Sequence, residues 1–171
     1  MGKLTSLLLC LSIFLLSAGC GGRPHTPPDY RASPFRAEIS GEIQGIQILA
    51  QGFYSATDAS VHFQEPASME GLTLLYRDGH LSLSFEGMEA DADSLAGLWE
   101  LLSLPLITGE LQPISLDRSM GPPLLYVQIQ SEGKDRPAEL WLDPESGVPH
   151  RIQKGELSLR ILSFSFLSSD T

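Results

Sequence analysis

The stretch FRAEISGEIQGIQILAQGFY, residues 35–54, decides the fold. Phe35, Ala37, Ile39, Gly41 and Ile43 recur at every second position, with Arg36, Glu38, Ser40, Glu42 and Gln44 between them. A period of two puts one set on a buried face and the other in water, which is the pattern of a half-buried strand. Gln44-Gly45 supplies a tight turn, and Ile46 to Tyr54 reads as the strand that returns.

Toward the C-terminus the same pattern repeats. Val61 and Phe63 flank His62, read as a solvent-facing strand residue, and the run stops at Pro66, which has no N–H for a central ladder. Leu72, Leu74 and Tyr76 alternate, Arg77-Asp78-Gly79-His80 turns the chain, and Leu81, Leu83 and Phe85 alternate back. Leu124–Gln130, Ala138–Asp143, His150–Gln153 and Leu157–Leu167 read as later strands, with a parity change at Ile161-Leu162 that predicts a bulge. Leu106 to Ile114 is apolar but broken by Gly109 and Pro113, so it reads as short strand or loop, and Asp117 to Pro123 as a polar connection.

One stretch alone has a helical period. Leu95, Leu98, Trp99, Leu101 and Leu102 recur at spacings of three and four, predicting a helix of about twelve residues that is capped by Asp91, Asp93 or Ser94 and stopped by Pro105. Glu89, Asp91 and Asp93 alternate as calcium ligands do, but the Gly and the twelfth-position Glu of an EF-hand are missing, so they read as a solvated helix start.

The expected architecture follows from areas. About eight or nine antiparallel strands at ~4.8 Å spacing make a sheet nearly 40 Å across, whereas the helix is ~18 Å long and ~10 Å wide. A flat sheet would leave most of its apolar face exposed, so the sheet is expected to curl. The fold class is mainly β (α+β): an antiparallel sheet forming an unclosed half-barrel around one or two helices. Its apolar face and lid give the candidate ligand-binding residues Ile39, Ile48, Phe63, Leu74, Leu83, Phe85, Leu95, Leu98, Trp99 and Leu102.

Before this domain, Met1 to Leu16 carries Lys3 and an apolar run from Leu7 that is too short to span a bilayer. Leu16-Ser17-Ala18-Gly19-Cys20 resembles the lipobox of bacterial lipoproteins, which implies a signal peptide at 1–19, cleavage before Cys20 and lipidation of Cys20. A plain secretory signal with a chance cysteine, or an N-terminal membrane anchor, are the alternatives. Residues 20–33 read as the lipidated cysteine and a flexible Pro-rich tether in which His25 is solvated, and residues 34–171 as a single domain. Gly21 follows the cysteine in place of the Asp that would resemble an inner-membrane retention signal. The implied location is extracytoplasmic, lipid-anchored to a bacterial membrane.

The chain of 171 residues has a formal charge of −10. Such a surface repels phosphate backbones and argues against nucleic acid as a partner. The lipobox resemblance implies that Cys10 leaves with the signal peptide and that Cys20 is acylated, which would leave no thiol for redox chemistry. No G-x-S-x-G, H-E-x-x-H or C-x-x-C occurs and the histidines are isolated, so neither enzyme activity, a metal site nor a cofactor is expected.

ELWLDPESGVPHRI, residues 139–152, looks like the late hairpin of the LolA/LolB superfamily of lipoprotein carriers: an aromatic strand ending in Asp-Pro, a Gly-hydrophobic-Pro turn and a basic strand. Phe35 to Gln44 resembles that family's first strand and Val61 to Pro66 its V-x-F-x-x-P step. The resemblance implies an unclosed antiparallel barrel over helices, with an apolar cavity for acyl chains, and carries over no functional residue. Two functions stay open. In one, an envelope-anchored lipoprotein holds an acyl chain or a lipidated protein on its concave face under the segment Leu95–Ile107. In the other, side chains fill that face and an edge strand or the acidic rim contacts a membrane-protein partner. A third reading leaves Leu95, Leu98, Trp99 and Leu102 as parts of a closed core.

Overall fold

The computed structural model describes residues 27–119, 121–130 and 137–167. The residues read as a signal peptide (1–19), Cys20, residues 21–26 of the expected tether and nearly all of the 131–137 turn lie outside the described residues.

Among the described residues eleven strands form one antiparallel sheet. They are β1 (Phe35–Ile43), β2 (Ile46–Tyr54), β3 (Ala59–Glu65), β4 (Thr73–Arg77), β5 (His80–Phe85), β6 (Met88–Asp91), β7 (Glu110–Asp117), β8 (Leu124–Gln130), β9 (Ala138–Leu142), β10 (Pro149–Lys154) and β11 (Leu157–Phe166). Their order, β6-β5-β4-β3-β2-β1-β11-β10-β9-β8-β7, is two meanders sewn together where β1 pairs with β11. The edges β6 and β7 do not pair, so the barrel stays open. The chain must pass from one edge to the other, and this crossover carries the helix α1 (Ala96–Leu102).

Alternation along the strands is as expected. Phe35, Ala37 and Ile39 of β1 and Ile48, Ala50 and Tyr54 of β2 are buried on one face, while Arg36 and Gln47 point outward. The turns Gln44-Gly45 and Asp78-Gly79 adopt positive φ at both positions (51° and 81°, 50° and 82°), the geometry that matches strand twist in a two-residue hairpin. On β11 the register jumps from Ser163 opposite Glu38 to Ile161 opposite Ile39, so Leu162 is the extra residue of the predicted bulge and stands 55% exposed.

Four expectations change. The strands number eleven because Glu86-Gly87, again with positive φ, turns β5 into β6, and because β7 extends to Asp117 through what read as loop. The helix is shorter: seven α-helical residues between 3-10 turns at Asp93–Leu95 and Leu104–Leu106. Pro105 sits inside the second turn, where its missing N–H is harmless, instead of stopping the helix. Leu95, not Asp91 or Ser94, stands at the N-cap of α1 and makes no side-chain hydrogen bond there; the side chain of Asp93, the third expected cap, lies outside what is described.

The last residues read as tether also belong to the domain. Tyr30 to Ala32 form a 3-10 turn, and the Tyr30 side chain is fully buried against Phe35 and Phe164. Aromatic rings in so Pro-rich and polar a stretch gave no periodic signal. Just before it, Pro28 crosses the β9–β10 turn so closely that a Cβ on Gly147 would lie 2.0 Å from the Pro28 carbonyl oxygen.

Candidate functional site

The concave face is where the crossover lands, and four main-chain carbonyls of the crossover are held there. The hydroxyl of Tyr54 donates to the Leu102 carbonyl (3.0 Å) and that of Tyr30 to the Pro105 carbonyl (3.1 Å). Arg31 donates through Nη1 to Ile107 O (2.6 Å) and through Nη2 to Gly109 O (3.0 Å). The last carbonyls of a helix have no partner within it, so Tyr54 serves the end of α1 at Leu102 and Tyr30 the 3-10 turn at Pro105, while Arg31 ties down the chain beyond them. Burial pushes both phenols well above their usual pKa, keeping each a proton donor across any physiological pH.

Arg31 is itself fixed. Its Nε and Nη2 donate to the two carboxylate oxygens of Asp29 (2.8 and 2.7 Å), a two-pronged pairing that holds the carboxyl below the usual range. Asp29 also accepts from the Arg31 amide at 3.0 Å.

The candidate residues divide under this arrangement. Ile39, Ile48, Phe63, Leu74 and Leu102 are fully inside the core, and Leu83, Leu95, Leu98 and Trp99 pack partly buried against it. Phe85 stays out, 39% exposed at the end of β5. Side chains of the crossover, Leu101, Leu102 and Leu104, fill the space beneath it.

Two clefts lie beside the crossover. A cleft of about 380 Å³ is walled by Tyr76, Trp99, Leu104, Leu106 and Ile107, with Glu100 and Lys154 on its rim. Tyr76 and Trp99 stack there, ring centroids 4.9 Å apart. A second cleft of about 290 Å³ runs past Arg31, Phe35 and Gly109 and shares Ala56, Leu106, Ile107 and Thr108 with the first. The two therefore flank one short strap, residues 106–108. Of the sequence-derived candidates only Trp99 lines this cleft. Strand parity could name inward residues but could not say which of them the crossover would cover; the apolar run Leu104 to Ile107 was the available signal.

The outer face carries a separate aromatic group. Trp141 Nε1 donates to Asp117 Oδ2 (3.1 Å), Arg151 lies over the indole at 5.0 Å, and Tyr126 donates to Glu139 (2.9 Å). These side chains satisfy one another. Among the described residues no three His, Cys, Asp or Glu converge as a metal site, and no helix is long and apolar enough to cross a membrane.

Solved structures share this architecture. An uncharacterized conserved protein from Thermus thermophilus superposes at a TM-score of 0.51, with 16% identity over 80% of each chain. MucB, known from Pseudomonas aeruginosa, superposes at 0.53 with 16% identity over 82% of this chain. The likeness is one of fold. The chain spans 56% of MucB, which has also been solved in complex with MucA(peri). A LolA superfamily protein from Nitrosomonas europaea aligns at 0.41 with 9% identity over 82% of this chain and 89% of that one. No protein-family model matches the sequence, and no curated protein does.

Proposed function

We propose that the protein is a non-catalytic binding module of the bacterial envelope, anchored outside the cytoplasm by lipid on Cys20, whose cleft seats an acyl chain or the lipidated end of another protein. One observation carries this reading: a cleft of about 380 Å³, with an apolar wall of Tyr76, Trp99, Leu104, Leu106 and Ile107 beside the polar Glu100, Ser103, Thr108 and Lys154, stays open next to the filled core of the half-barrel. That volume lies at the small end of ligand sites. A chain would lie along Trp99, Leu106 and Ile107, and anything bulkier would need the crossover displaced. The MucB-like fold and the LolA-like hairpin at 139–152 are in keeping with an envelope role.

The test uses the full chain in detergent, with Trp141→Phe leaving Trp99 as the sole indole. Palmitate should change Trp99 emission, native mass spectrometry should find lipid carried from the host, and Ile107→Glu should remove both. Unchanged emission and an empty protein would favour the second reading, a protein-interaction module with a filled core, which the complete burial of Leu101 and Leu102 supports. Cys20→Ala should release the protein from membranes; persistent association would indicate an uncleaved N-terminal anchor.

A further inference from the structure

The two edges of the sheet are built differently. On β7 the register shifts between Pro113 and Ser115, so Ile114 is an extra residue, and Pro113 offers no N–H. A bulge and a proline refuse another strand whatever its charge. The edge β6 has neither; it is four residues long and guarded by the acids Glu89 and Asp91, which repel acidic strands and not basic ones. All four of its residues, Met88 to Asp91, are exposed. Phe85 faces Met88 across the two-residue turn, and Ala92 donates to Leu81 O (3.0 Å). That phase directs the backbone groups of Met88 and Ala90 to β5 and those of Glu89 away from the sheet.

The side chains around β6 define what would fit. On the concave side Met88 is 67% and Phe85 39% exposed, beyond the reach of α1. On the outer side stand Glu89, bonded to Ser82 Oγ at 2.5 Å, and Asp91, with Glu86 in the turn. No lysine or arginine occurs between Arg77 and Arg118. A second copy of this edge would set acid against acid, which excludes self-pairing.

We infer that β6 is a docking edge for an extended segment of a partner protein in which basic and apolar residues alternate. The segment adds a twelfth strand, exchanges hydrogen bonds with the Glu89 backbone, lays its apolar residues beside Met88 and its basic ones beside Glu89 and Asp91. No residue of β6 lines either cleft beside the strap at 106–108, so the inference holds whether or not the cleft takes an apolar chain.

The probe is a fluorescein-labelled peptide of alternating Lys and Val, with alternating Glu and Val as control, titrated against the full chain in neutral detergent. The Lys-Val peptide should bind, lose at least tenfold in affinity in 0.5 M salt, and slow hydrogen exchange at the Glu89 amide. Glu89→Pro removes the outward N–H while leaving the pairing to β5, and should cost at least tenfold; a matching circular dichroism spectrum confirms that it folds. Glu89→Lys keeps the backbone and should shift preference toward the Glu-Val peptide. Equal affinity for both peptides, an unprotected Glu89 amide, or Glu89→Pro binding like the parent would each overturn the inference.

Discussion

The ring of Tyr54 lies over Gly52, its atoms 2.2–2.5 Å from where a Cβ on that glycine would stand. The missing side chain is what lets the phenol tip across the strand and reach the Leu102 carbonyl. Gly52→Ala should therefore push the ring aside and cost about 1–3 kcal/mol, as overpacking does. Tyr54→Phe keeps the ring and leaves a buried carbonyl unbonded, for about 1–2 kcal/mol. Denaturant titration measures both, and the double variant should lose less than the sum, because the two changes break one contact.

Acid should loosen the Asp29–Arg31 pair. Hydrogen bonds from Arg31 hold the Asp29 carboxyl low, so the folded state binds its proton less readily than the unfolded one. Its contribution is full above the unfolded value of about 3.9 and disappears as pH falls through the lower folded value. The stability difference between the parent and Asp29→Asn, followed by urea melts, should stay level from neutral pH to about pH 5 and shrink below about pH 4. A gap that widened in acid would contradict this.

Gly147 needs its φ of 72° and has the Pro28 carbonyl where a side chain would go. Gly147→Ala should lift the chain before Tyr30 off the β9–β10 turn. Trypsin should then cleave after Arg31 faster than in the parent, while far-ultraviolet circular dichroism stays unchanged.

Depth within the concave face should grade the cost of substitution. Leu74 is completely buried, so Leu74→Ala should cost about 2–5 kcal/mol. Phe85→Glu, at an exposed site, should change stability by less than about 1 kcal/mol. Thermal melts of the two variants would show whether the inner face has this gradient.

The sheet was legible because its signals are local. Gln44-Gly45 and Asp78-Gly79 announce hairpins, and parity alone located the Leu162 bulge. Glu86-Gly87 makes the same turn, yet the acids after it read as the start of a helix, so β6 was missed. The cleft was less legible still. Whether Trp99 ends on a wall and Leu102 beneath it depends on how the crossover lies across eleven strands, a long-range outcome with no periodic trace. Tyr30 was invisible for the same reason: its partner, Pro105, is 75 residues away.

The seam between β1 and β11 has a consequence in time. Phe35 meets Phe166, so the partners that close the sheet are nearly the first and last residues of the domain to leave a ribosome or a translocation pore. Until β11 emerges, each meander keeps a raw margin and the crossover has only half a bed to lie in. Such distant pairing makes for slow assembly, and a chain shortened before β11 should be a ready target for proteases.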